Sequence, residues 1–303
     1  MQQREWSGGT QGSQWMHRML IRSLKVLNLR FVYLGMALFV VPFYMLLAHK
    51  GYLAQYRYFR RRQGYGVWRA FRGVYMNHYR FGQVIIDRFA AYAGRTFQFD
   101  LDGYDLFCQL CQQPEGLLVL SSHAGNYELA GYAFKAAAKR FNMLMLPDAS
   151  PTVTHYRQQI LSKNNIRLIP IADDLSHLFL LNEALAGGEI VSMAADRIFG
   201  SPRSVSCMLL GACAPFPLGP FALAVQRQVP VVTIFVMKTS TYHYKVCIRR
   251  IAADPSLPRR QQPQQLARAY VAELDSILRQ YPEQWFNYYD FWKDNGDNKP
   301  GND

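Results

Sequence analysis

The six residues from His123 to Glu128, His-Ala-Gly-Asn-Tyr-Glu, carry the pair of side chains best suited to moving a proton. An imidazole titrates near neutral pH. A carboxylate bound to one of its nitrogens fixes the tautomer and makes the other nitrogen a better base, which is what activation of a hydroxyl needs. Ala124 and Gly125 permit a tight turn, and with a helix beginning near Asn126, Glu128 falls in its first turn, from which it would reach back to the ring. The same spacing also serves a purely structural His–Glu hydrogen bond, so H-x4-E alone leaves both readings open. Ser121 and Ser122 are nearby hydroxyls, but no G-x-S-x-G elbow occurs in the chain. Ser122 and His123 are adjacent, so on extended backbone their side chains point apart.

Further polar residues follow other apolar runs. Pro147-Asp148 leads to His155 and Arg157, and a later run ends in Asp196-Arg197-Ile-Phe-Gly200. A lone Arg is usually a solvated one. Two arginines and an acid at the same sheet end as His123 would hold an anionic headgroup, phosphopantetheine or a carboxylate. The run from Ala214 to Ala224, APFPLGPFALA, reads as a loop entering a helix or as an apolar wall for an acyl chain. The five cysteines are odd in number and scattered. Cys108 and Cys111 form a C-x-x-C with no second pair or nearby His, so neither a metal nor another cofactor is expected.

The elements that must position these residues are legible as alternating runs. Residues 117–122, 141–146, 166–171, 189–195 and 229–236 read as strands buried on both faces. Residues 126–140, 152–164, 174–187 and 219–228 read as helices between them. Residues 242–251 alternate like an edge or antiparallel strand, and 264–281 carry an apolar stripe of a closing helix. The stretch 64–112 reads as helical, with Gly94 as a C-cap. This order predicts an α/β fold, a mainly parallel mixed sheet flanked by helices, in which ligands meet the carboxyl ends of the strands.

The charge balance places the molecule. There are 34 Lys and Arg against 21 Asp and Glu, a net +13. Residues 1–80 hold 13 of the bases and one acid, Glu5, so the remaining 223 residues are nearly neutral. Within that basic region the 19 residues Phe31 to His49 carry no formal charge and are fenced by Arg30 and Lys50. This is close to the ~20 residues that cross a bilayer core, with a buried core helix as the alternative reading. Bases flank both ends, so charge does not choose an orientation, and Pro42 fits a helix or bent hairpin entering one leaflet better than a single span. A cleaved signal peptide is not expected, because a polar lead precedes the run. The expected organisation is a basic N-terminal region (1–62) with its membrane anchor at 31–49, an α/β domain (63–292) and a disordered polar tail (293–303). The excess charge flanks an apolar segment instead of lining a groove, which argues against a nucleic-acid partner.

Taken in order, His123 with four residues before Glu128, ADRIFG, PFPLGPFALA followed by PVV, and YPEQWFNYYDFW (281–292) resemble the lysophospholipid acyltransferase superfamily. The likeness extends over roughly residues 20–292 and is nearest to the lipid A late acyltransferase branch, whose members transfer lauroyl or myristoyl groups. It implies a membrane-associated acyltransferase on the cytoplasmic face of a bacterial inner membrane. Such an enzyme takes its acyl group from acyl carrier protein or acyl-CoA and gives it to a hydroxyl or amine of a lipid acceptor. By the same resemblance His123 matches the catalytic base, Glu128 its partner, Arg157 a basic substrate-binding position and Asp196 the acid of the third block. Arg197 and Asn126 complete the expected substrate contacts, and the turn amides at Ala124 to Asn126, or Arg157, would receive the oxyanion. Arg197 after Asp196 departs from the family's usual block, so an aminolipid, a glycolipid or a polyene-type lipid suits the acceptor as well as lipid A. A non-catalytic, membrane-anchored lipid-binding protein of the same fold is the alternative reading.

Overall fold

The structure, a computed structural model, describes residues 14–47, 49–129, 139–146, 151–172, 174, 176–198 and 203–292. Most of the expected helix 126–140, Pro147-Asp148, Phe199-Gly200 and the tail 293–303 lie outside the described residues.

Seven strands form the main sheet in the order β1-β9-β8-β2-β5-β3-β4. They are β1 Gln98–Asp102, β2 Leu117–Ser121, β3 Phe141–Met145, β4 Ile166–Pro170, β5 Ile190–Ala194, β8 Val231–Lys238 and β9 His243–Ile251. β6 Ser204–Leu209 and β7 Ala212–Pro217 form a separate antiparallel hairpin. Every pairing in the main sheet is parallel except β8 with β9. The helix Pro151–Lys163 connects the parallel neighbours β3 and β4, whereas Tyr104–Gln112, Ser176–Ala186 and Gly219–Arg227 lie in connections between strands that are not adjacent, and Gln262–Gln280 closes the fold. The fold is thus α/β as the alternation predicts.

All eight residues of β8 are buried, and they divide by parity. Val231, Phe235 and Met237 join the core that holds Tyr270 and Leu274, whereas Val232, Ile234 and Val236 join the core holding Phe107 and Leu117. A strand covered on both faces is apolar at most positions, here all but Thr233 and the ion-paired Lys238, which is why these runs do not alternate.

Three local expectations are corrected. Residues 98–102 are a strand, not part of a helix: the long helix ends at Tyr92, and Gly94, at φ +87°, turns the chain. That strand covers β9, so β9 is antiparallel to β8 as anticipated but is not at the edge. The residues read as a loop before the 219–227 helix form β7, where Pro215 and Pro217 are tolerated because the hairpin is only two strands wide.

The anchor segment is helical from Leu29 to Leu47, with a π turn at Met36–Val40. It lies along the helix Val67–Tyr92. Leu29, Tyr33, Met36 and Val41 are buried in that contact, and Tyr75 donates to the Ala37 carbonyl at 2.8 Å. A side chain at Gly82 would collide with Met36, so glycine allows this approach. The opposite face is apolar and open: Phe31 is 73% and Phe39 74% exposed. Beneath the contact, Lys238 is paired with Asp87, both side chains fully buried, and Asp87 also accepts from the hydroxyls of Tyr33 and Tyr244. Burial pushes the Asp87 carboxyl up and the Lys238 ammonium down, and each is the main counterweight to the other's shift.

Candidate active site

β2 and β5 are parallel neighbours with Ser121 opposite Ala194. Two residues beyond these strand ends stand His123 and Asp196, and the register sets them side by side. Ala195 donates its amide to the Ser121 carbonyl at 3.0 Å, extending the ladder one step. The Asp196 carboxylate then takes both donors of His123: the backbone amide on Oδ2 at 2.9 Å and Nδ1 on Oδ1 at 2.7 Å. Asp196 is 1% exposed at its side chain and His123 27%, so the carboxylate is sealed and the ring faces outward. With Nδ1 occupied, Nε2 is the nitrogen left for a reacting group. Burial pushes the Asp196 carboxyl up, but His123 and Arg197 outweigh it and hold it down at about 2.

This corrects the expected pairing of His123 with Glu128. Glu128 is turned the other way, into the space between the helices Val67–Tyr92 and Pro151–Lys163. There Arg157 reaches it through Nε at 3.1 Å and a second nitrogen at 3.3 Å, Arg88 at 3.0 Å and the Tyr92 hydroxyl at 2.5 Å. Burial again opposes ionisation, and Arg88, Arg157 and the Tyr92 hydrogen bond overcome it, holding the carboxyl down at about 2. Glu128 is therefore an anion at neutral pH that ties two helices to the turn after β2. Arg157, 4% exposed, is engaged in that tie.

The turn itself is spent on scaffolding. Ala124 donates to the Ser122 hydroxyl at 3.2 Å, Gly125 to the Gln284 carbonyl at 2.8 Å and Asn126 to the Val236 carbonyl at 2.8 Å. These amides, expected as oxyanion donors, are occupied. Gly125 sits at φ +65°, and a Cβ there would lie 2.1 Å from the Val236 carbonyl oxygen, so two separate reasons require glycine. Asn126, expected to touch substrate, is 2% exposed, and its side-chain amide spans 3.4 Å to both the Val84 carbonyl and the Tyr244 hydroxyl.

Arg197 remains beside the pair. It donates to the Phe286 carbonyl at 2.8 Å and lies over the Tyr289 ring, 5.8 Å from its centroid, while its buried Nε has no partner among the described residues. Tyr127 stands edge-on to His123, with ring centroids 6.2 Å apart. Sequence reasoning missed Arg88, Tyr92 and Trp285. A charged residue inside the apolar stripe of the helix 67–92 is the signal that would have marked Arg88. Among the described residues no cluster of metal ligands occurs.

Residues 80–294 match the family model described as bacterial lipid A biosynthesis acyltransferase. Among solved structures the chain is similar to the 1-acyl-sn-glycerophosphate (LPA) acyltransferase PlsC from Thermotoga maritima, at 13% identity and a TM-score of 0.38, covering 90% of this chain and 99% of that one. No curated protein matches the sequence.

Proposed function

The chain belongs to the bacterial lipid A biosynthesis acyltransferase family and is an acyltransferase, with an acyl donor and a lipid acceptor. From that premise we propose that it carries a fatty acyl group from a thioester, acyl carrier protein or acyl-CoA, to a hydroxyl or amine of a glycolipid or aminolipid, with His123 as general base. The observation that carries this reading is the 2.7 Å contact of His123 Nδ1 with the sealed Asp196 carboxylate, which directs the ring's other nitrogen outward.

In the reaction, Nε2 takes the acceptor proton as the oxygen or nitrogen attacks the thioester carbonyl, forming the new bond and a tetrahedral oxyanion. Collapse breaks the C–S bond, and the imidazolium returns its proton to the departing thiolate. Asp196 keeps its charge throughout and stabilises the imidazolium, while fixing the tautomer beforehand. The thioester is already activated, so neither a covalent acyl-enzyme nor a cofactor is needed. Because the turn amides are engaged, we assign oxyanion or headgroup stabilisation to Arg197, whose buried Nε has no partner among the described residues.

The helix Leu29–Leu47 supports a seat in the membrane, at the cytoplasmic face of the inner membrane as the family's chemistry suggests. Its adhesion to the helix Val67–Tyr92, directly above the buried Lys238–Asp87 pair, favours an in-plane position over a span. A perpendicular span would draw those charges toward the hydrocarbon. The decisive experiment compares membrane lipids by mass spectrometry from cells making the wild-type protein and His123→Ala. Loss of one acylated lipid, with expression and membrane association unchanged, is the expected result; retention of wild-type acylation sinks the assignment.

A further inference from the structure

Asp196 is held by a donor that comes from neither of the strand ends that form the pair. Besides the two bonds from His123, the indole N–H of Trp285 donates to Asp196 Oδ2 at 3.2 Å. Oδ2 therefore receives two donors, Trp285 and the His123 amide, and Oδ1 is left to the imidazole. A carboxylate with one oxygen saturated in this way has its plane set, and the plane decides whether Oδ1 meets Nδ1 in line.

Trp285 is itself immobilised. It is 1% exposed and packs edge-on against Tyr58, Phe291 and Trp292, with centroids 5.4, 5.0 and 5.8 Å away. Its carbonyl accepts from Asn77 at 2.8 Å and from Gln55 at 3.3 Å. Its backbone forms an antiparallel bridge with Ala124. On either side of it, Gln284 accepts the Gly125 amide, and Phe286 donates to the His123 carbonyl at 3.0 Å. One short segment thus grips both the backbone that carries His123 and the carboxylate that orients its ring. The titratable and charged groups acting on Asp196 are His123, Arg197 and, beneath it, Tyr270. Trp285 is a donor that does not titrate.

We propose that Trp285 is a positioning residue of the acyl transfer: its indole N–H locks the Asp196 carboxylate so that Oδ1 holds His123 in the reactive tautomer and orientation. This rests on the reading of His123 as the base. The core position of Trp285 means that Trp285→Phe will lower stability for packing reasons alone, so the test pairs it with 3-benzothienylalanine at position 285, which preserves the bicyclic shape and lacks the N–H. The full-length protein in detergent is assayed with lauroyl–acyl carrier protein and lauroyl-CoA over a membrane lipid extract, and the His123 ring is titrated by imidazole nitrogen NMR.

Without the indole donor the carboxylate plane is free to turn, Oδ1 no longer meets Nδ1–H in line, and the imidazolium loses part of the hydrogen bond that stabilises it. The isosteric replacement is expected to move the His123 titration to lower pH and to lower kcat about tenfold with KM unchanged, a scale typical of outer partners that orient a reacting group. Its melting temperature stays near wild type. A His123 titration that does not move overturns the proposal, whatever happens to melting. Turnover surviving in His123→Ala would overturn the general-base reading itself, so the two failures are distinguishable.

Discussion

His123 meets Asp196, 73 residues away, and not Glu128, five residues away: Nδ1 lies 2.7 Å from Oδ1 of Asp196, while both Glu128 oxygens are taken by arginines. The two carboxylates have opposite duties, and substitution separates them. Asp196→Asn keeps the shape but removes the charge and the control of the tautomer, so kcat should fall about 10²–10⁴-fold with the fold intact. Glu128→Gln leaves Arg88 and Arg157 with no countercharge and should destabilise by about 3–5 kcal/mol. Urea unfolding and turnover per folded molecule measure both effects; a larger loss of turnover in Glu128→Gln than in Asp196→Asn would reverse the assignment.

Stability should fall in acid through these same groups. Both carboxyls are held down at about 2 in the folded state, against ordinary values of 4.5 for Glu128 and 3.8 for Asp196. The folded state then binds fewer protons than the unfolded one. Their contribution is complete above the ordinary values and is lost as pH drops from there toward about 2. Denaturant titrations at a series of pH values should show a slope in that window, shallower in Glu128→Gln.

Gly125→Ala adds one methyl group where φ is +65° and the Val236 carbonyl oxygen blocks the Cβ. The turn must open, and His123 moves with it. Turnover should drop at least tenfold, with a melting loss of about 1–3 kcal/mol in equivalent stability. Gly64→Ala, also at positive φ but with open space around it, is the control and should leave turnover unchanged.

The open face of the anchor predicts a separable membrane phenotype. Phe31 and Phe39 point away from the protein, so Phe31→Asp with Phe39→Asp should shift the protein to the soluble fraction without lowering its melting temperature. Each lost aromatic removes about 1.5–3 kcal/mol of apolar burial in lipid. Flotation with liposomes of mixed anionic and neutral lipid reads the effect, and unchanged flotation would refute the in-plane seat.

The Lys238–Asp87 pair should behave as a buried ion pair does. Lys238→Met alone strands the Asp87 carboxylate and should destabilise by about 3–5 kcal/mol, whereas Lys238→Met with Asp87→Leu should recover part of that loss. Thermal denaturation of these two variants and of Asp87→Leu alone completes the double-mutant cycle.

Much of the fold was legible because strand and helix patterns are local. The runs at 117–122, 141–146, 166–171 and 189–195 each become a strand of the sheet; residues 117–121 and 190–193 are buried throughout, whereas β4 lies at the sheet edge with Arg167 and Pro170 exposed, a correction to the burial expected for it. β1 escaped notice because Gln98–Asp102 is a short edge strand behind a long helix, its apolar residues only half covered. The β6–β7 hairpin was hidden by prolines that ordinarily argue against a strand. Exposure of Phe39 beside burial of Met36 was equally invisible, because an all-apolar helix has no pattern to say which stripe meets protein.

From sequence alone came the class of fold, the apolar segment 31–49 and its basic flanks, the family resemblance, and His123 at the tip of a strand. All of these depend on residue type and near neighbours. Which carboxylate serves His123 depended on which strands lie side by side, and alternation along the chain does not encode that order. β5 falls next to β2, with Ala194 opposite Ser121, and this register brings Asp196 to the ring. The positive φ of Gly125 and the bonds of its turn accompany the diversion of Glu128 toward Arg88 and Arg157. Long-range hydrogen-bonded pairing is a property of the assembled sheet, so the His–Asp pair and the Trp285 contact upon it exist only in the tertiary structure.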